Sequence, residues 1–265
     1  MQRAVPRSYL FVPGNRPERF AKAMSAGADA VILDLEDAVS IPEKEAAREA
    51  VAAALDPASP AFVRINARET AWFEDDLRAI ARPGLAGVML PKAERADDAA
   101  RVEAVTGAKV LALIESAVGL WNALEVARSE AVTRIAFGSI DYQVDLNLDG
   151  EDEPLLHARS QLVLASRVAG LLPPVDGVSV AIDDATAIEA DAMRGRRLGF
   201  GGKLCIHPKQ VMVVNGCFSP TPAELDWARR VVAAIEASGG GAVAVDGKMV
   251  DKPVLMKAQR ILASV

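Results

Sequence analysis

Three carboxylates crowd four positions of the segment DAVILDLEDAVS, residues 29–40: Asp34, Glu36 and Asp37 close a run of valine, isoleucine and leucine. Such a run reads as a buried strand, and charge at its end is costly unless a cation or hydrogen-bond donors meet it. Other apolar runs end in polar groups as well: Arg64 and Asn66 follow AFV, Glu115 follows KVLALI, and Asp141 follows TRIAFGSI. Histidine is confined to His157 and His207, with no G-x-S-x-G segment, which argues against a Ser/His/Asp site. A donor set of oxygens suits a hard cation, Mg²⁺ or in its place Mn²⁺. Glu115 and Asp141 end adjacent predicted strands, so their side chains can converge on one ion. Arg64 can hold a carboxylate or an enolate bidentately. A divalent ion beside an arginine is the apparatus for stabilising an enolate while a carbon–carbon bond breaks or forms.

Positioning these groups requires a repeating scaffold. Strand-like runs begin near Ser8, Asp29, Ala61, Ala86, Lys109, Thr133, Asp176 and Gly202, and amphipathic helical stretches lie between them. Strands alternating with helices mean βα units and a parallel sheet. Eight units predict a (β/α)₈ TIM barrel over residues 1–238, followed by a C-terminal hairpin-plus-helix lid over 239–265. The glycines at 239–241 read as a flexible joint, and Asp246-Gly247 between alternating apolar residues as a two-residue hairpin turn. A doubly wound sheet is the structural rival. It would carry a glycine-rich turn after its first strand, but VPGNRPERF has one glycine, and Leu204 follows GFGGK where a P-loop needs Ser or Thr.

A barrel places its site at the C-terminal ends of its strands. There the sequence has Asn15 and Arg16, then Asp34, Glu36 and Asp37, then Arg64 and Asn66. Lys92, Glu115, Asp141, Asp183 with Asp184, and His207 follow at the remaining ends. All eight ends are therefore expected to contribute to one site, with Lys92 and His207 as wall residues.

Composition fits such a chain and excludes others. It has 265 residues, 51% hydrophobic and 25% charged, enough apolar content for a large core. A net charge of −6 and a pI near 5.1 argue against nucleic-acid or anionic-membrane partners. No run approaches the roughly 18 apolar residues of a membrane span, and no secretory leader is visible, so a cytoplasmic location is expected. Cys205 and Cys217 form neither a zinc pattern nor a disulfide framework and read as buried thiols.

The segments RSYLFVPGNRPERF, VILDLEDAV, VRIN, VMLPKAE, LIESAVGLWN, IAFGSIDYQVDL, GKLCIHPKQV, FSPTPAE and DGKMVDKP occur in an informative order. In them the chain resembles the citrate lyase β-subunit-like proteins of the HpcH/HpaI aldolase superfamily, which includes malyl-CoA and citramalyl-CoA lyases. The resemblance implies a TIM barrel assembled into trimers or hexamers, with Mg²⁺ held by Glu115 and Asp141. It implies that Arg64 binds the carboxylate and carbonyl end of the substrate, and that Phe11, Arg16 and Lys22 contact the CoA pantetheine and phosphates. Asp251, from a neighbouring subunit's lid, is the implied acid/base. Glu36 and Asp37 then hold metal-bound waters, and Asp34 orients arginine or backbone groups beneath them.

Each residue also has a structural reading: Arg64 can neutralise Asp34, Asp251 can cap a helix ahead of Pro253, Arg16 can start a helix, and Lys22 can be a solvated surface charge. The implied activity is a Mg²⁺-dependent carbon–carbon lyase acting on a β-hydroxyacyl-CoA thioester and releasing acetyl-CoA and an oxoacid. The alternatives are a citrate lyase β subunit acting on citryl-acyl carrier protein, a class II pyruvate-type aldolase, and a non-catalytic barrel that binds an acyl-CoA. The aldolases carry a histidine where this chain has Asp37, which counts against them.

Overall fold

In the computed structural model, which describes residues 5–150, 152–239 and 241–264, each predicted run becomes a strand. They are β1 Ser8–Pro13, β2 Ala30–Asp34, β3 Ala61–Arg64 and β4 Leu85–Leu90, then β5 Val110–Ile114, β6 Val132–Phe137, β7 Val175–Asp176 and β8 Gly202–Cys205. They pair in parallel and in sequence order, and β1 closes on β8 through Ser8↔Lys203 and Tyr9↔Leu204. That closure excludes the doubly wound sheet and leaves no open edge. Alanine-rich segments such as Lys44–Ala54 form the intervening helices and turn Ala47 and Val51 inward.

The period of two along each strand explains why the site is where it is. Tyr9, Ile32, Met89, Leu111, Leu113, Ala136 and Leu204 fill the barrel interior. One pleat further along the same faces stand Phe11, Asp34, Glu115, Gly138 and Ile206, and on β3 the step from Phe62 leads to Arg64. The alternation that packs the interior thus delivers charged side chains at its C-terminal mouth.

The seventh strand is shorter than expected. DGVSVAI predicts a strand to Ile182, whereas pairing stops at Asp176. Side-chain donors take the ladder's place: Lys203 Nζ donates to Gly177 O at 2.6 Å, and Gln210 Nε2 donates to Ser179 O and Ala181 O at 2.8 and 2.7 Å. Behind them Arg159 Nε donates to Asp176 Oδ1 at 2.9 Å, and Lys203 Nζ lies 3.9 Å from Asp176 Oδ2, all three side chains being buried.

This early stop corrects the expectation that every strand end serves the site. Asp184 becomes the N-cap of the helix Ala185–Leu198, accepting from Thr186 N and Ala187 N. Asp183 is exposed and pairs with Lys209, while His207 Nδ1 accepts from Lys209 N at 3.2 Å. Asn15 and Asn66 are likewise engaged locally, donating to Glu43 and to the buried Asp76.

The chain divides into two compact units, one of residues 6–215 and one from Gly216 onward that includes Val5. The second begins before Gly239 because the helix Pro222–Ala237 shares a core with the helix Lys252–Leu262, formed by Ala228, Val231, Ile235, Val250 and Ala258. Between those helices β9 Val243–Val245 and β10 Lys248–Val250 form the expected hairpin, with Asp246 and Gly247 at φ 51° and 72°. Gly240, part of the expected joint, lies outside the described residues. Among the described residues no helix is long and apolar enough to cross a membrane.

Removing Asp176 leaves Arg159 and Lys203 buried without their carboxylate. Asp176→Ala is expected to lower stability by about 3–5 kcal/mol in denaturant titration, whereas Asp183→Ala, at an exposed pair, should change it by less than about 1 kcal/mol.

Candidate active site

Adjacent strands bring Asp34 and Arg64 into register, and their side chains meet. Arg64 Nε and Nη2 donate to Asp34 Oδ1 and Oδ2 at 2.7 and 2.6 Å, a bidentate pair with both partners buried. Asp34 also accepts from Glu36 N at 2.9 Å and Ala38 N at 3.3 Å, so one carboxylate shapes the turn that carries the other two acids. Arg64 Nη1 faces Glu36 Oε2 at 3.0 Å, at ion-pair distance but without hydrogen-bond alignment, and Asp37 Oδ2 at 3.7 Å. The guanidinium lies 4.8 Å over the Phe11 ring. Burial alone would loosen Arg64's hold on its proton; Asp34, helped by Glu36 and Asp37, more than reverses this.

A cavity of about 400 Å³ opens at this mouth. Asp34, Asp37, Arg64, Glu115 and Asp141 form its charged side, and Leu113, Phe137, Val178 and Leu204 part of its apolar side. Glu115 directly follows β5, and Asp141 sits in the first turn of the helix Ser139–Leu146 that follows β6. Glu115 Oε1 accepts from Lys92 N at 2.8 Å, while Oε2 is buried and among the described residues meets no donor. Gly138 leaves that oxygen its space, because a Cβ there would come within 2.5 Å of it and 2.4 Å of Glu115 Cβ.

The acids are held in an environment that disfavours their charge. Burial, then the charges of Glu36 and Asp141, push the Glu115 carboxyl up to about 8. Burial, only partly offset by Arg64, pushes Glu36 up to about 7. Asp141 is raised as well, by burial and by Asp37. A divalent cation would resolve this arrangement: a donor-free buried oxygen and a second carboxylate in one cavity are the donor chemistry of a hard ion. Among the described residues no three His, Cys, Asp or Glu side chains gather as a complete ligand set. Two carboxylates leave the remaining positions to water or substrate oxygens, as Mg²⁺ prefers.

The other predicted residues are placed differently. Phe11 lines the cavity beneath Arg64, whereas Arg16 is exposed and pairs with Glu18 at 2.6 Å, and Lys22 is exposed on the helix Phe20–Met24. Asp251, in the C-terminal unit, is the N-cap of the helix Lys252–Leu262 and accepts from Val254 N at 3.4 Å.

Two contributors had no sequence signal. Lys44, buried on its helix, donates from Nζ to Leu35 O and Glu36 O at 2.7 Å each and clamps the acidic turn from behind. Gly138 was legible only as part of IAFGSID, where nothing announces that Glu115 needs the space.

A model of the HpcH/HpaI aldolase/citrate lyase family matches residues 7–208. The chain belongs to the HpcH/HpaI aldolase/citrate lyase family. Within that family it is 40% identical to the citrate lyase subunit beta-like protein of Deinococcus radiodurans, over 98% of this chain and 97% of that one. It is 36% identical to the (3S)-malyl-CoA thioesterase of Cereibacter sphaeroides, over 97% and 93% of the two chains. A crystal structure of Mycobacterium tuberculosis CitE in complex with magnesium, acetoacetate and coenzyme A superposes with a TM-score of 0.88 at 39% identity, covering 99% of this chain and 98% of that one.

Because the folded state holds protons on Glu115 and Glu36 above their ordinary carboxylate range, stability without a divalent ion is greatest at low pH within that range. It is lost as pH rises through the raised values. The melting temperature of chelator-treated protein should therefore fall between about pH 4.5 and about 8. Glu115→Gln should flatten that slope in a thermal melt series.

Proposed function

We propose that this chain is a Mg²⁺-dependent carbon–carbon lyase of a β-hydroxyacyl-CoA thioester such as malyl-CoA, citramalyl-CoA or citryl-CoA. It yields acetyl-CoA and an oxoacid, or runs the reverse condensation. One observation carries this reading: the donor-free Glu115 Oε2 shares a cavity with Asp141 and with an arginine locked in place by Asp34. The magnesium, acetoacetate and coenzyme A bound by the M. tuberculosis relative support it.

Glu115 and Asp141 would hold the ion, and Glu36 and Asp37 the waters around it. When bound, Mg²⁺ supplies Lewis-acid stabilisation of the substrate oxygen that gains negative charge. Arg64 presents a guanidinium that stays protonated to the same charge, and because Asp34 fixes its plane it needs little reorganisation to do so. Leu113, Phe137, Val178 and Leu204 keep water away from the reacting carbons.

When the carbon–carbon bond breaks, the substrate hydroxyl gives up its proton to solvent as its oxygen becomes the oxoacid carbonyl; the bond's electron pair stays on the acetyl-CoA enolate, whose carbon must take up a proton. Asp251, supplied by the neighbouring subunit of a homotrimer or hexamer, donates that proton and removes it in the condensation. Phe11, Arg16 and Lys22 are assigned to the CoA pantetheine and phosphates.

The kinship to a malyl-CoA thioesterase favours a second reading, hydrolysis of the same thioester. Incubation with Mg²⁺ and a panel of malyl-, citramalyl- and citryl-CoA separates the two by product. Acetyl-CoA with an oxoacid supports the lyase, free CoA with a hydroxy acid supports the hydrolase, and folded protein that turns over no ester contradicts both. Glu115→Ala is expected to reduce Mg²⁺-dependent turnover by at least about 10²–10³-fold. Asp251→Asn should lower kcat by about 10²–10⁴-fold in the same assay.

A further inference from the structure

Lys92 follows β4, between the strands that carry Arg64 and Glu115, and its backbone is left-handed at φ 45°. A side chain in that region carries a conformational cost that glycine avoids, so glycine is the default residue there. The conformation turns the Lys92 N–H onto Glu115 Oε1 at 2.8 Å. A glycine would make that bond equally well, so the hydrogen bond does not explain the lysine. Strain kept at the rim of a site points to work done by the side chain.

The Lys92 side chain is exposed, and among the described residues no hydrogen bond or ion pair engages its ammonium. The contact of its N–H with Glu115 Oε1 places the residue beside the carboxylates at the barrel mouth, and its charge favours the ionised forms of Glu36 and Asp141. Arg64 differs in this respect. Nε and Nη2 are engaged by Asp34, and Nη1 faces Glu36 and Asp37, so three carboxylates of the chain already surround its charge. An anionic substrate entering this acidic mouth therefore meets an arginine whose charge is largely matched.

We propose that the Lys92 ammonium is a substrate-binding group that receives the carboxylate of the oxoacid half of the substrate, opposite the contact made by Arg64. The proposal rests on the lyase reading for the identity of that carboxylate, but the binding itself can be measured without turnover.

The test uses the full-length protein with Mg²⁺ and oxalate, a non-reacting dicarboxylate probe, by titration calorimetry, together with steady-state kinetics in the condensation direction. Lys92→Met should weaken oxalate binding and raise KM for the oxoacid by about 10–100-fold, the range of a lost charge-assisted contact, with KM for acetyl-CoA changed less than about threefold. Lys92→Arg should restore both to within about fivefold of the parent protein. Lys92→Gly should lose oxalate affinity as Lys92→Met does while its melting temperature rises by about 2–4 °C, since the strain is relieved and the amide retained. Unchanged oxalate affinity in Lys92→Met overturns the proposal, as does a rise confined to KM for acetyl-CoA, which would assign the ammonium to the CoA half. The expected loss of oxalate affinity in Lys92→Met and Lys92→Gly and its recovery in Lys92→Arg, found in a protein that forms and cleaves no thioester, leaves the carboxylate site standing and refutes the lyase reading alone.

Discussion

The bidentate pair between Asp34 and Arg64 is the constraint on which the site is built. Both groups arise from strand alternation, both are buried, and adjacent strands hold them in register. Buried ion pairs seldom stabilise a protein more than a well-packed apolar pair would, so this one is better understood by what it positions. Asp34 fixes the plane of the guanidinium and, through Glu36 N and Ala38 N, the turn that presents Glu36 and Asp37. Lys44 closes the same turn from behind by binding two of its carbonyls.

What the pair leaves unbalanced is the remaining negative charge. Glu36, Glu115 and Asp141 are each driven toward their protonated forms by burial first; Glu36 and Asp141 add to this at Glu115, Asp37 adds to it at Asp141, and at Glu36 Arg64 only partly offsets it. Such a cluster stores a demand for positive charge that protons meet at low pH and a divalent ion can meet at neutral pH. Metal binding, proton release and stability are thereby linked in one place. An arginine beside a charge-hungry carboxylate pair suits chemistry that places negative charge on a substrate oxygen.

Most of the barrel was legible because it is periodic. Runs such as AFVR and VLALI alternate with helical segments, and the closure of β1 on β8 follows from their number. β7 was not, since Gly177–Ile182 has strand-like composition but its carbonyls are taken by Lys203 and Gln210, contacts that no local pattern encodes. Arg64, Glu115 and Asp141 were legible from residue type, strand-end position and family resemblance together, and the structure gathers them in one cavity. Asp183 and Asp184 misled because an exposed ion-pair partner or a helix cap looks like a strand-end site residue in sequence. Lys44, Gly138 and the left-handed Lys92 were silent because a buried ammonium, a steric vacancy and a positive φ are properties of the assembled fold. Asp251 shows its capping role in one chain, whereas a role as acid/base concerns two.

The pairing of Glu115 with Asp141 as ion ligands can be tested most directly by anomalous diffraction from crystals grown with Mn²⁺ as a surrogate for Mg²⁺. The expected result is a single strong anomalous peak between Glu115 Oε2 and the Asp141 carboxylate, absent in Glu115→Gln crystals grown in the same way. A peak elsewhere in the chain, or one that persists unchanged in Glu115→Gln, would contradict it.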